Sequence, residues 1–387
     1  MKFNKWTVAL AAIGVVSLAS AARADEQPMT KMNAVDTALS STTLSGYVDT
    51  AATWRPGTDQ GTFGYNIPQY SFAKNDGFSL NAVDIALDHP EDESPWAAGY
   101  HVELMLGPDA VPYNVGGYPY VRQAYVTLRT PVGNGIDWKV GVFDTIVGYE
   151  SSSDPLNPNY TRSYGYSIEP TTHTGVLATY KVNDMLTAQA GIADTYNGFN
   201  STSSIESQKA YMGDLQFTAP DSAGFMSGAT LTVAVIDAAN YATWFYAGAT
   251  LPTPAKALKV GAAFDYVDLH NGASGTANPA NDSAWNIALY SSFQATDKLS
   301  LNLRAEYLSG EGDGLYDGYV ASNANTAEEF TATVQYQLWV NVLSRVEFRW
   351  DHVEHGYAFG YSQGAATLGD ANRANDFLLA LNLIYQF

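Results

Sequence analysis

Arg304 and Glu306 stand two residues apart in "LSLNLRAEYL", and Arg345, Glu347 and Arg349 repeat that spacing in "NVLSRVEFRW". Charges at alternate positions of an extended chain share one face. A ladder of this kind can set up a transverse field across a water-filled space. Its charges can also pair with one another, which carries little energy when they are solvated. "DHVEH" (Asp351–His355) gathers two histidines and two acids within five residues, a composition that suits a divalent metal. On a strand, however, His352 and His355 face opposite sides, and no further ligand is evident. The chain holds serines and six histidines, yet no nucleophile–base–orienter motif links them. No enzyme activity, metal or other cofactor is expected.

A third constellation is "GYESSSDPLNPNYTRSYGYSIEPTTHTG", Gly148–Gly175, where four tyrosines and three acids accompany a single arginine. The alternating pattern of the flanking chain stops here. A patternless insert this long is usually functional or disordered. Asp154-Pro155 and Asn157-Pro158 stiffen it, and its tyrosines can pack their rings while leaving hydroxyls wet. Its acids favour cations locally.

These groups must be positioned by strands. In "KLSLNLRAEYL", Leu299, Leu301, Leu303, Ala305 and Tyr307 oppose Ser300, Asn302, Arg304 and Glu306. In "EEFTATVQYQL", Phe330, Ala332, Val334, Tyr336 and Leu338 oppose Glu329, Thr331, Thr333, Gln335 and Gln337. About sixteen such segments run from residue 43 to residue 387, more strand than an ordinary soluble domain carries. Long connections rich in Gly, Asn, Asp and Ser alternate with brief turns such as "PVGNG" and "ATDK". Outer-membrane barrels alternate short periplasmic turns with longer external loops in this way. The expected fold is therefore all-β: a transmembrane antiparallel up-and-down β-barrel of about 16 strands with both termini periplasmic. The loop at about 148–172 is its third external connection. The connection near Ala239 breaks the rule, being short where a long one is due.

A sheet in hydrocarbon tolerates no open edge, so "TLSGYVDTAATW" must pair with the last segment. That segment, "NDFLLALNLIYQF", sets Phe377, Leu379, Leu381, Leu383, Tyr385 and Phe387 on one face. Its end, Leu383, Tyr385 and Phe387, resembles an outer-membrane assembly signal. A barrel of this size leaves an aqueous channel. The inward set, including Arg129 and Lys139 beside the charge ladder, is polar and interleaved with Gly141, Gly191 and Gly261. Trp54, Trp138, Trp285, Trp339 and Trp350 suit interfacial girdles.

Residues 1–24 read as a cleaved signal peptide: Lys2 and Lys5, an apolar run from Trp6 to Leu18, and Ala22-Arg23-Ala24. Their removal takes away three basic residues and no acidic one, moving the formal charge from −20 to −23. That acidity excludes nucleic acid as a partner. Cysteine is absent, so neither a lipid anchor nor disulfides are available. Residues 25–42 lack strand pattern and read as a short periplasmic extension.

"GYHVELMLGPDA" (Gly99–Ala110), "QAYVTLRTPVGNGIDWKVGVFDTIVGYE" (Gln123–Glu150), "NPNYTRSY" (Asn157–Tyr164) and "PTTHTGVLATY" (Pro170–Tyr180) resemble successive blocks of the OmpL-like outer-membrane β-barrel porin family. The "LSGYVD" opening and the terminal Phe fit as well. Glu169 before Pro170 and the run Ser151–Ser153 depart from the family pattern. The resemblance implies a porin in the outer membrane of a Gram-negative bacterium, passing small hydrophilic solutes or ions. By similarity to sixteen-stranded porins, the third loop folds inward. Tyr149, Glu150, Asp154, Tyr160, Arg162, Tyr164, Tyr166 and Glu169 are then constriction candidates. Expected partners are membrane lipid, lipopolysaccharide and the barrel assembly machinery. Barrels of this size commonly form homotrimers, while nothing in the sequence marks a subunit interface. Two rivals stay open: a channel specific for sugars or oligopeptides, and a non-conducting structural or adhesive barrel.

Overall fold

The computed structural model describes residues 41–56, 76–113, 121–194, 208–239, 241–270, 282–311, 326–357, 359 and 373–387. The signal peptide and nearly all of the 25–42 extension lie outside the described residues. Sixteen strands account for most of the rest. The first eight are β1 (Thr43–Trp54), β2 (Gly77–His89), β3 (Ala98–Leu106), β4 (Val121–Thr130), β5 (Ile136–Asp144), β6 (Thr172–Lys181), β7 (Leu186–Ala193) and β8 (Ala210–Thr218). The second eight are β9 (Thr230–Ala238), β10 (Ala242–Pro252), β11 (Leu258–Leu269), β12 (Asp282–Gln294), β13 (Leu299–Glu311), β14 (Thr326–Trp339), β15 (Val342–Val353) and β16 (Asn375–Gln386).

Each strand pairs antiparallel with its sequence neighbour, and the ring closes through β1 and β16. The closing register runs from Tyr47 opposite Gln386 to Trp54 opposite Leu379. Gly46 and Phe387 complete it, each backbone N–H donating to the other's carbonyl at 3.1 and 3.0 Å. Among the described residues no strand edge is left, as hydrocarbon requires.

The pleat separates two chemistries. Along β16 the outward residues Phe377, Leu379, Leu381, Leu383 and Tyr385 are exposed, while Asp376, Leu378, Ala380, Asn382 and Ile384 are buried. The same inversion holds on β13, with Leu301 and Leu303 outside and Asn302, Arg304 and Glu306 inside. A water-soluble protein does not expose a continuous apolar wall; a barrel in lipid must. Trp54 and Trp339 lie exposed, and Trp285 packs at 5.5 Å from Tyr307 on the adjacent outward position.

The connection between β9 and β10 is tight, as the sequence around Ala239 implied: Tyr241 donates its N–H to Ala238 at 2.9 Å. Between β5 and β6 runs the longest described connection, residues 145–171. It starts a little earlier than the alternation suggested, because β5 ends at Asp144.

Candidate functional site

A buried stretch of irregular backbone normally leaves polar groups unpaired. Residues Thr161–Ile168 are nonetheless all buried, and the inner wall of the barrel supplies their partners. The register stacks that wall into levels. Glu306, Glu329 and Asp351 share one level across β13, β14 and β15; Arg304, Thr331 and Arg349 the next; Asn302, Thr333 and Glu347 the third; Ser300, Gln335 and Arg345 the fourth.

The levels read the loop backbone in turn. Glu347 accepts the N–H groups of Tyr160 at 2.5 Å and Thr161 at 2.9 Å. Arg304 donates to the Thr161 carbonyl at 2.7 Å, and Arg349 to that of Arg162 at 2.7 Å. Glu306 accepts the Tyr164 N–H at 3.0 Å. Asn302 donates to the Pro158 carbonyl at 3.0 Å. Arg345 donates to the carbonyls of Asp154, at 3.1 Å, and Asn157. Carboxylates meet N–H groups and guanidiniums meet carbonyls, so the wall does for the loop what a neighbouring strand does for a sheet.

Side chains of the loop reinforce the seat. Glu150 binds Arg304 at 2.7 Å, with neither side chain more than 1% exposed, and accepts the Ser163 N–H at 2.8 Å. Asp154 pairs with Arg162 at 2.7 Å inside the loop. Tyr160 donates its hydroxyl to Asn81 on β2 at 3.3 Å, and Tyr164 donates to Asp351 at 2.6 Å. Arg349 lies 5.3 Å from the Tyr164 ring, and Arg162 lies 5.8 Å from that of Tyr166. Ser163 caps the short helix Tyr164–Ile168 by accepting the Tyr166 N–H at 2.9 Å.

Two further anchors sit where the loop leaves and rejoins the wall. The Tyr149 ring stacks on Tyr290 of β12 with centroids 4.1 Å apart, and its hydroxyl meets Thr250 on β10 at 3.0 Å. That hydroxyl fills the space above Gly261, where a Cβ would stand 1.9 Å from it. At the return, Glu169 hydrogen-bonds Asp265 on β11. Burial first, and the Asp265 carboxylate next, hold the Glu169 carboxyl well above the usual carboxylate range. The close approach of Glu169 needs Gly148, whose φ is +111° and whose Cβ would lie 2.5 Å from the carboxylate.

All eight loop residues singled out in the sequence therefore lie at this seat. The loop crosses from the β5–β6 wall to β13–β15, on the far side of the ring. The charge ladder takes a different place from the open, solvated one pictured above. Arg304, Glu347 and Arg349 are fully buried, and Glu306 and Arg345 nearly so, all beneath the loop. Arg129 sits apart near the short turns, paired with Asp137 and donating to the Asn134 carbonyl at 2.9 Å. Lys139 lies 4.5 Å from the Tyr125 ring. Asp351 faces inward on the same side of the strand as Arg345, Glu347 and Arg349, as the alternation implies, and holds Arg349 at 2.7 Å; His352 faces outward and meets Asn375 at 3.0 Å.

Several partners were not singled out: Asn302, Thr333, Trp244, Tyr246 and Tyr290. The Trp244 indole donates to the Ile168 carbonyl at 2.8 Å. Trp244, Tyr246 and Tyr290 join Tyr164 and Ile168 in an apolar cluster inside the barrel. "TWFYAG" carries aromatics on both faces, so alternation alone did not mark which pointed in. The alternate spacing of Trp244, Tyr246 and Gly248 on one face was the available signal.

A family model described as "Putative beta-barrel porin-2, OmpL-like" matches residues 41–387. No curated protein sequence matches the chain. Among solved structures, the chain is similar to the outer membrane channel DcaP of Acinetobacter baumannii, with 13% identity and a TM-score of 0.59 over 89% of this chain and 97% of that one. It is similar to an anion-selective porin from Comamonas acidovorans at 12% identity and a TM-score of 0.59, covering 90% and 99%. The trimer form of the outer membrane protein OmpT of Vibrio cholerae follows at 13% identity and a TM-score of 0.53, covering 89% and 99%. Identities this low speak for a shared fold.

Proposed function

The chain belongs to the OmpL-like β-barrel porin-2 family, and from that premise we propose that it conducts small hydrophilic solutes or ions passively through its barrel. The seated loop is the feature that narrows the path. The observation that carries this reading is the grip of β13–β15 on the backbone of residues 157–164, which holds the loop inside the ring. Residues 149–169 of the loop find partners on β1, β2 and β10–β16. Across the lumen, Thr179, Gln189, Gln216 and Thr232 of β6–β9 remain partly exposed on the inner face, a polar wall that suits a hydrated solute.

In this reading the short turns and both termini are periplasmic, the signal peptide is cleaved, and lipid and lipopolysaccharide surround the apolar wall. The terminal strand is handed to the barrel assembly machinery. A homotrimer is the proposed assembly, by analogy with the trimer form of OmpT.

Single-channel recording in planar bilayers tests it. Large ohmic steps are expected from the folded, heat-modifiable protein. Steps blocked by one sugar or peptide would move the reading to a specific channel. Silence from such protein would overturn conduction and leave a structural or adhesive barrel.

A further inference from the structure

Among the described residues, almost every cation facing the interior is already engaged. Arg55, Arg122, Arg129, Arg304 and Arg349 each lie within 4.0 Å of a carboxylate. Arg345 is buried against loop carbonyls. Lys181 is tied to Asp184 at the rim, and Lys259 lies exposed at the end of β11. Lys139 differs. Near the middle of β5, among the described residues, it has neither an ion pair nor a hydrogen bond. Its ammonium group lies 4.5 Å from the Tyr125 ring centroid and its side chain is only partly buried.

Resting on the porin reading above, we propose that Lys139 is the lumenal binding point for the carboxylate of a small monoanionic solute. A cation over an aromatic face is attracted by the ring quadrupole, but the ring satisfies none of its N–H donors. Three donors therefore remain for a passing acceptor. The inward level of Lys139 continues through Leu177, Gly191 and Met212. Leu177 and Met212 are apolar and close over Gly191, where a Cβ would stand only 3.0 Å from each. One level toward the short turns lie Thr179 and Gln189, bonded at 2.8 Å. A single ammonium beside an apolar step and a hydroxyl–amide pair suits a carboxylate on a short hydrocarbon body.

The charge of the surroundings limits the anion. Asp88, Asp144 and Glu91 all act on Lys139 electrostatically. Doubly charged phosphate would bring two further negative charges to these carboxylates, whereas a monocarboxylate brings one. The lysine thus relieves an acidic lumen at one point without making the pore anion-selective throughout.

The chain has no native cysteine, which permits a test inside one open pore. Lys139→Cys is recorded in planar bilayers with potassium acetate, before and after reaction with a 2-aminoethyl or a 2-sulfonatoethyl methanethiosulfonate. The aminoethyl reagent restores a cation at the site. It is expected to raise the acetate-to-potassium permeability ratio by about fivefold, the weight of one charge at contact distance in water, back to the wild-type value. The sulfonatoethyl reagent is expected to lower it. Because each pore is its own control, a variant that misfolds cannot mimic either result. Equal ratios after both reagents, in a pore that conducts, would overturn the role of Lys139 and leave the porin reading intact. A wild-type protein that passes no current would overturn both.

Discussion

Arg304 on β13 and Glu150 of the loop meet at 2.7 Å across 154 positions of sequence, with both side chains out of solvent. The arginine also faces Glu306 and Glu329 at 3.3 and 3.1 Å and donates to two loop carbonyls. It is the point where wall and loop share one charge network. Removing a single partner of such a network strands the others without compensation.

Arg304→Gln is therefore expected to release the loop rather than merely change a lumenal charge. Breaking a buried pair costs about 3–5 kcal/mol, and here the cost falls on the seated state of the loop. Single-channel conductance should rise and become noisier. The cation preference should also increase, because Glu150, Glu306 and Glu329 lose their counter-charge. The double change with Arg345→Gln should go further, since Arg345 holds the carbonyls of Asp154 and Asn157. Reversal potentials in a salt gradient measure the preference; an unchanged potential and conductance would contradict the seat.

The outer wall makes a separate prediction. Leu381 is 59% exposed near the centre of β16. A lysine on a lipid face at mid-depth costs about 2–4 kcal/mol, so Leu381→Lys should fold poorly into bilayers. Asn382→Lys, one position on and facing inward, meets the carboxylate of Asp49, which the native amide already reaches at 2.6 Å. Folding yield, read as the heat-modifiable fraction on electrophoresis, should drop for the first variant far more than for the second.

How much of this was legible in the sequence depends on the range of the forces involved. Strand alternation is a local signal, and it located all sixteen strands to within a few residues, including the closing pair. The eight loop residues were legible as an anomaly in that alternation. Their seat was not. Glu347 binds the backbone of Tyr160 and Thr161, and Glu306 that of Tyr164, at separations of 142 to 187 positions. A bond from a side chain to a distant backbone leaves no mark on the spacing of either segment. For the same reason the ladder of Arg304, Arg345 and Arg349 looked solvated, although the loop covers it. Trp244, Tyr246 and Tyr290 escaped because aromatics suit both the lipid face and the interior.

Gly261 supplies a steric test. A Cβ there would lie 1.9 Å from the Tyr149 hydroxyl and 2.6 Å from its ring carbon, so Gly261→Val must push Tyr149 off Tyr290 and Thr250. Overpacking of this kind costs about 1–3 kcal/mol. The variant should lose thermal stability and show a less stable seated level in single-channel records. Adding Tyr149→Ala should recover the stability lost to the clash while leaving the loop base unanchored. Recovery in a double-mutant cycle identifies the clash; purely additive losses would place Tyr149 elsewhere.

The Glu169–Asp265 contact makes seating of the loop depend on pH. Burial and the Asp265 carboxylate raise the Glu169 carboxyl in the seated state. A released loop would return it to the ordinary value of about 4.3. The seated state therefore holds a proton that the released state gives up. Its contribution is complete below that ordinary value and is lost as pH rises through the raised one. Once both carboxylates are charged they repel at the point where the loop rejoins β6, next to Glu150 and Glu306. Openings to a higher conductance level should become more frequent as pH is raised from the ordinary carboxyl value through the raised one. Glu169→Gln keeps a hydrogen-bonding amide without the proton, so its opening frequency should no longer follow pH over that interval. Gating that kept its full pH dependence in Glu169→Gln would assign the effect to another carboxylate.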